Sequence, residues 1–479
     1  MSRPLQLTQW QQQLASRLPQ LPARVVGVLA LYSFGVILAQ VCGLSAVTLF
    51  LGKRLGWSYF PLRKRLSEFY KEASAKSGFR HGSKRLAVEV APCFAPLLRW
   101  VLSLWSGRQL TLALDVTNLG DRFHVLCVCV VVAGVGIPVA WKVLLGGQKE
   151  PWNPHWQRLL GHLKEAVADD WTVIVLSDRG LESPYLFRVL KALGWHPLMR
   201  VKQGGKFRPK GWSYFYFLGD LVRRPGDTFY AEGIAYTGEQ MPCTLLAQWE
   251  AGYDEPWLIL TDLPPEAADA AWYAMRAWIE QGFKVIKSGG WDWHKTRMED
   301  PARVERLWLV LAVSILWVVA VGAEDEAQEK IAQEQQKQQR LLGDSQEQAR
   351  QRQEQARRRL EKLREALQAR QAQQAAQRKA REEQRKAAKQ AKKEKTLRPK
   401  ETGGQPASGE KRRPTDSQGK KGAGRGRIHG VFVRGLAELR ACWEKGQNRL
   451  PQHLHPEPWL QPCHPASPLT EDEFLAQQT

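Results

Sequence analysis

Two aspartates stand out because of what precedes them. Asp115 follows the apolar run Leu112-Ala113-Leu114, and Asp178 follows Val173-Ile174-Val175-Leu176-Ser177. A carboxylate that ends an apolar strand sits at the rim of a sheet, where it meets solvent and ligands. If the two strands are neighbours, the carboxylates converge and repel, and one would otherwise have to take up a proton. A divalent cation relieves that repulsion. Hard oxygen donors with room left for water and phosphate suit Mg²⁺, with Mn²⁺ an expected substitute. Either Asp alone reads better as an ordinary strand or turn cap, and only the two together, separated by the right elements, point to a site.

A third acidic residue decides between these readings. Residues 273–287 place Tyr273, Arg276, Glu280 and Lys287 at the spacing Y-x2-R-x3-E-x6-K. On an α-helix these positions are i, i+3, i+7 and i+14, close to one face. One carboxylate among three polar or cationic side chains there makes a site for metal and phosphate together. A surface helix with ordinary ion pairs would not require four residue types at fixed spacing.

The surrounding elements must bring these residues together. Residues 1–105 read as helical, with basic patches at Lys53-Arg54 and Arg63-Lys64-Arg65 interleaved with Tyr59, Phe60 and Tyr70, as in a helical DNA-binding domain. Three strands follow closely, Thr111–Val116, His124–Val132 and Pro138–Leu145, separated by turn-forming residues that suit antiparallel neighbours. A helix (Trp156–Ala168), a strand (Trp171–Leu176), a helix (Ser183–Leu193) and a strand (His196–Val201) come next. This is the α/β order of a ribonuclease H-like core, with its first part at 106–203. Residues 204–262 read as a β-rich insertion, and 263–323 as the second part of the core. Within it Asp300-Pro301 caps an apolar helix through Val321. Beyond lie a low-complexity, Gln/Lys/Arg-rich segment (324–427, helical and then disordered) and a short helix with a Pro-rich tail (428–479).

The net charge of +22 calls for a polyanionic partner. Residues 324–427 carry 29 Lys/Arg against 16 Asp/Glu, a surplus of 13, which leaves +9 on the rest. The seven cysteines form no CxxC pair and suit a reducing cytoplasm. Cys127 and Cys129 would share one strand face as small buried residues. His453, His455, Cys463 and His464 match no usual zinc spacing. Residues 25–51 hold no charged side chain and are long enough to span a bilayer. Gln40 and the Cys42-Gly43-Leu44-Ser45 cluster favour two buried helices with a turn between them, Ser45 capping the second. The run Leu307–Gly322 reads as a core helix. Leu360, Leu363 and Leu367 have coiled-coil spacing for one heptad only.

Tyr273, Arg276, Glu280 and Lys287 resemble the YREK signature of the bacterial insertion-sequence DDE transposases, the cut-and-paste group with a β-insertion. Asp115 is similar to the first catalytic aspartate of that family, and Asp178, followed by Arg179, to the second. The likeness covers about 20–322 and 430–460. It implies a DNA transposase in which Asp115, Asp178 and Glu280 are catalytic and hold two Mg²⁺ ions. Tyr273, Arg276, Lys287 and Arg179 would bind DNA phosphate, and Trp257 would stack on a flipped base. The implied partners are double-stranded DNA, as element ends and target, and a second copy of the chain in a homodimeric synaptic complex. The implied location is cytoplasmic and nucleoid-associated. Ser177 and Ser183 lack a paired His base, against a serine recombinase. Three other readings stay open: a transposase-derived DNA-binding protein without activity, a membrane-attached protein with a basic cytoplasmic arm, and a protein that binds nucleic acid through its tail alone.

Overall fold

The computed structural model describes residues 4–77, 86–147, 150–388, 430–459, 462 and 470–476. The chain divides into two compact units, Met1–Gln328 with Gly424–Thr479, and Glu329–Ala423.

The first unit opens with α1 (Leu5–Arg17), α2 (Ala23–Ala39), α3 (Leu44–Leu55), α4 (Tyr59–Ser67) and α5 (Phe94–Ser103). The uncharged stretch does break into two helices, which meet at 90°. Gln40 ends α2 in the left-handed region at φ 54°, and the Tyr32 hydroxyl donates to the Cys42 carbonyl at 2.9 Å. Gly43, not Ser45, precedes the first turn of α3, so Ser45 is no cap. α2 is apolar nearly all round because it is nearly all buried.

Among the described residues ten strands form one sheet in the order β3-β2-β1-β4-β5-β10-β9-β8-β6-β7. β1 (Gln109–Leu119), β2 (Phe123–Val132) and β3 (Val135–Leu145) form an antiparallel meander, as their turn residues predict. After α6 (Asn153–Lys164), β4 (Thr172–Ser177) lies parallel to β1. After α7 (Pro184–Ala192), β5 (His196–Arg200) lies parallel to β4. Ser183 caps α7 by accepting from the Leu186 N–H at 3.3 Å, which accounts for that hydroxyl without any nucleophilic role. The remaining strands are β6 (Lys206–Pro209), β7 (Tyr216–Phe217), β8 (Thr228–Ala235), β9 (Met241–Gln248) and β10 (Trp257–Thr261), with the short α8 (Leu218–Leu221) after β7. They continue the core sheet, because β10 pairs with the edge of β5. Cys127 and Cys129 are buried on one face, their sulfurs 3.6 Å apart.

α9 (Ala277–Lys284) lies across the sheet at β3. Two glycines permit this approach: a Cβ on Gly282 would stand 2.4 Å from the Gly136 carbonyl oxygen. α10 (Pro301–Ala388) begins as its cap predicts, the Asp300 carboxylate accepting from the Arg303 N–H at 3.0 Å. It does not stop at Val321. A glycine inside a helix costs only about 1 kcal/mol, and the Glu, Gln, Lys, Arg and Ala that follow Gly322 are strong helix formers. The apolar window of α10 is long enough to cross a membrane and is wholly buried within the unit. Trp317 of this helix stacks on Trp10 at 3.9 Å.

α11 (Gly430–Glu444) crosses α10 at a glycine pair, since a Cβ on Gly322 would lie 1.9 Å from the Val431 carbonyl oxygen. After α11, residues 452–459 run along the unit as a strap. The N–H groups of Gln452 and His453 donate to Glu324, and that of Leu454 to the Leu104 carbonyl. The Trp459 ring nitrogen donates to the Thr111 hydroxyl at 2.9 Å, and its ring lies 5.1 Å from Trp272. The last described helix is α12 (Glu471–Ala476).

The second unit is the continuation of α10. Its described side chains are exposed, Leu360 and Leu363 included, which fits a solvated helix that presents charge. Cys463, His464 and the stretch predicted as disordered (401–427) lie outside the described residues. Among the described residues no zinc cluster forms around His453 and His455.

Candidate active site

The parallel register of β1 and β4 sets Leu114 opposite Ser177, so the next residues, Asp115 and Asp178, leave the ladder side by side. Asp115 does not end its strand as expected. β1 continues to Leu119, paired with β2 alone. The β1–β4 ladder stops at Leu114, and that opening creates the rim at which Asp115 sits. The Val116 N–H donates to its carboxylate at 2.7 Å. Asp178 lies at the mouth of a 3-10 turn, Arg179–Leu181.

The 273–287 segment is not one α-helix. Ala270–Arg276 is 3-10, α9 follows, and Val285–Gly289 is π-helical. The four signature residues therefore do not lie along a single α-helical face. Tyr273 is buried, its hydroxyl donating to the Ser177 carbonyl at 3.3 Å and its ring 5.8 Å from that of Trp257. Burial holds the Tyr273 hydroxyl well above its ordinary pKa.

Arg276 is where the carboxylates meet. Its Nη2 stands 3.0 Å from Asp115 Oδ2 and 3.6 Å from Asp178 Oδ2, and its Nη1 pairs closely with Glu280. Three carboxylates distant in sequence thus share one guanidinium, only 12% of whose side chain is exposed. Burial opposes the charge on Arg276, but the fields of Asp115, Tyr273, Asp178 and Glu280 outweigh it, and its pKa rises. Burial likewise raises the Asp115 pKa, and Arg276 pulls it back. The Arg276 Nε is buried without a hydrogen-bond partner, a donor left over by the arrangement. Lys287, half-buried at the π turn, feels the charge of Asp115. Burial lowers its pKa and the charge on Asp115 opposes that shift.

The other two expected residues flank this centre. Trp257 is half-buried at the start of β10, its ring 5.5 Å from Tyr253. Arg179 is ion-paired with Glu255 at 2.7 Å, and Arg200 reaches the same carboxylate at 3.4 Å. The Glu255–Arg200 pairing has no local sequence signal, because it joins β5 to the loop before β10. Among the described residues no three His, Cys, Asp or Glu side chains stand close enough to hold one metal ion between them. The guanidinium takes that position. The donor set is nonetheless three carboxylates already gathered around one cation, and hard oxygen ligands of this kind suit a divalent ion such as Mg²⁺.

Residues 120–317 match the transposase DDE domain. The matched segment includes Asp178, the signature residues and α9, and it begins just after Asp115. The match supports a DDE transposase. A comparison with curated proteins gave no match. Among solved structures, the piggyBac transposase synaptic complex with hairpin DNA, determined by cryo-EM, is similar at 11% identity and a TM-score of 0.35. The similarity covers 65% of this chain and 73% of that one.

Proposed function

We propose that the chain is an insertion-sequence DDE transposase of the YREK group, cutting and rejoining DNA at the ends of its element. The supporting observation is the convergence of Asp115, Asp178 and Glu280 on the Arg276 guanidinium. Without a cation between them the three carboxylates would repel, and one would have to take up a proton. In this reading β1 to β5 with α9 form a ribonuclease H-like core, and Asp115, Asp178 and Glu280 would hold two Mg²⁺ ions. Bound there, the metals would supply an activated water or 3′-hydroxyl and neutralise the leaving oxygen of an in-line displacement.

The chain's own side chains do the rest. Arg276, released from the carboxylates, presents a two-pronged donor to a phosphate. Lys287 adds a point charge, and its partial burial strengthens that charge's hold on an anion. Arg179, tied to Glu255, stands at the edge of the site for the backbone of the same strand. Trp257, braced by Tyr253 and Tyr273, offers a ring to a displaced base. Tyr273 contributes chiefly by fixing the 3-10 turn that aims Arg276, since its hydroxyl is committed to Ser177. The partners are double-stranded DNA and a second copy of the chain, in the bacterial cytoplasm.

The test uses linear DNA carrying the repeats that bound the gene. Nicking at the repeat ends, dependent on Mg²⁺ or Mn²⁺ and lost in Glu280→Ala, is expected. Cutting that persists in Glu280→Ala or in chelator removes the reading.

A further inference from the structure

The segment that holds α12 docks on the β6–β7 end of the sheet in an unusual way. The Glu471 carboxylate accepts from the N–H groups of Ser213 at 2.7 Å and Tyr214 at 3.3 Å, and from the Tyr216 hydroxyl at 2.8 Å. Successive backbone N–H groups converging on one anion form a receptacle that does not depend on which anion fills it. One helical turn further on, Phe474 is buried in an aromatic cup. Its ring lies 5.1 Å from both Trp212 and Tyr216, with the Arg223 guanidinium 5.8 Å from its centre. Cation and ring alternate beside the cup as well: Lys206 lies 4.8 Å from the Phe217 ring and Arg208 4.9 Å from Phe215. Tyr214 and Phe217 are exposed. Across 202–224 there are six Lys or Arg and one acidic residue, whereas the docked turn reads Glu471-Asp472-Glu473.

An acidic group and a flat ring, one turn apart, is what one nucleotide presents as its phosphate and base. We propose that this β6–β7 surface is a binding site for single-stranded DNA, held closed by the chain's own Glu471 and Phe474. A phosphate would take the Ser213, Tyr214 and Tyr216 donors, and a base would enter the Trp212–Tyr216 cup. Neighbouring nucleotides would run along the Arg208–Phe215 and Lys206–Phe217 pairs. Stacking on rings and tracking by cations are the two components of sequence-tolerant binding to single strands. The inference rests on DNA as the partner in the reading above and makes no use of the carboxylate centre.

The experiment measures fluorescence anisotropy of a labelled oligo-dT with the full chain. Chelator is present so that no cleavage enters, and salt is high enough to suppress charge-only binding by 324–427. Releasing the segment with Glu471→Gln and Phe474→Ala together is expected to tighten oligo-dT binding about tenfold, and adding Trp212→Ala to remove that gain. Should Trp212→Ala disturb the fold, as a thermal melt would show, Tyr216→Phe serves instead. It keeps the ring, deletes one phosphate donor, and is expected to weaken the released form about threefold. A synthetic peptide of residues 470–479 should displace the oligonucleotide from the released form. Unchanged affinity on release, a gain that survives loss of the cup or of the hydroxyl, or failure of the peptide to compete would each overturn the proposal. Loss of end cleavage with this binding intact would instead count against the carboxylate centre.

Discussion

Replacing Arg276 with Met keeps most of the stem and removes the guanidinium. In the parent, that group lies 3.0 Å from Asp115 and 3.6 Å from Asp178 and pairs closely with Glu280. At an effective dielectric of about 20, a unit pair at 3 Å is worth roughly 5 kcal/mol before desolvation is subtracted. Stranding a buried charge by deleting its partner typically costs about 3–5 kcal/mol. Asp115 is 19% exposed and Asp178 35%, while Glu280, at 54%, can turn to water. The lower end of that range applies, so Arg276→Met should lose about 3 kcal/mol of stability at neutral pH in chelator. A divalent ion bound by the same carboxylates restores the missing charge. At a hundred times its dissociation constant it would return about 2.7 kcal/mol. The assay is urea denaturation of parent and variant, each in chelator and in Mn²⁺. The variant should gain clearly more from Mn²⁺ than the parent, whose own cation competes for the carboxylates. Equal stability of the two proteins in chelator would show that the carboxylates need no counter-ion. Equal stabilisation by Mn²⁺ would show that metal and guanidinium do not share ligands.

Gly282→Ala drives a methyl group to within 2.4 Å of the Gly136 carbonyl oxygen, so α9 must lift from the sheet. A loss of about 1–3 kcal/mol by thermal melt is expected, with end cleavage falling more steeply than stability because Glu280 moves with the helix. Glu72 binds Arg303 and Arg306 at the start of α10, and those contacts, the Arg303 hydrogen bond foremost, hold its pKa at about 2. Its folded pKa is depressed, so its contribution is present above the ordinary value of 4.5 and is lost as pH falls toward 2. Glu72→Gln should lower stability at pH 7 by about 1 kcal/mol after solvent screening, and parent and variant should converge near pH 2 in a pH series of melts. Replacing 329–423 with a short linker should preserve end-specific binding while making the salt dependence of DNA affinity shallower, read from titrations at several salt concentrations.

The two strands were legible because each aspartate follows an apolar run, and such runs make buried strands; that β1 continues past Asp115 to Leu119 was not, because only its pairing with β2 sets that end. The spacing of Tyr273, Arg276, Glu280 and Lys287 was legible as a pattern, but its geometry was not. A 3-10 turn, an α-helix and a π turn in succession are selected by packing against β3 and Trp291, which no local propensity encodes. The resemblance implies that Arg276 binds phosphate. Only the folded chain shows the same guanidinium holding the three carboxylates. The docking of α12 did leave a trace, since Thr470 and Glu473 form a reciprocal cap, each accepting from the other's N–H. That pair announces a helix start, though nothing near it says where the helix will rest.

The described residues after α11, Gln452 to Trp459 and Thr470 to Ala476, touch α10, the loop after α5, β1 and the far end of the sheet, and all of these leave the ribosome before they do. Helices and strands made early must therefore wait, with the grooves for Leu454, Trp459 and Phe474 open, until a segment synthesised much later arrives to close them. During that interval exposed aromatic surface invites association between nascent chains. Shortened or interrupted products would stay in that unlatched state.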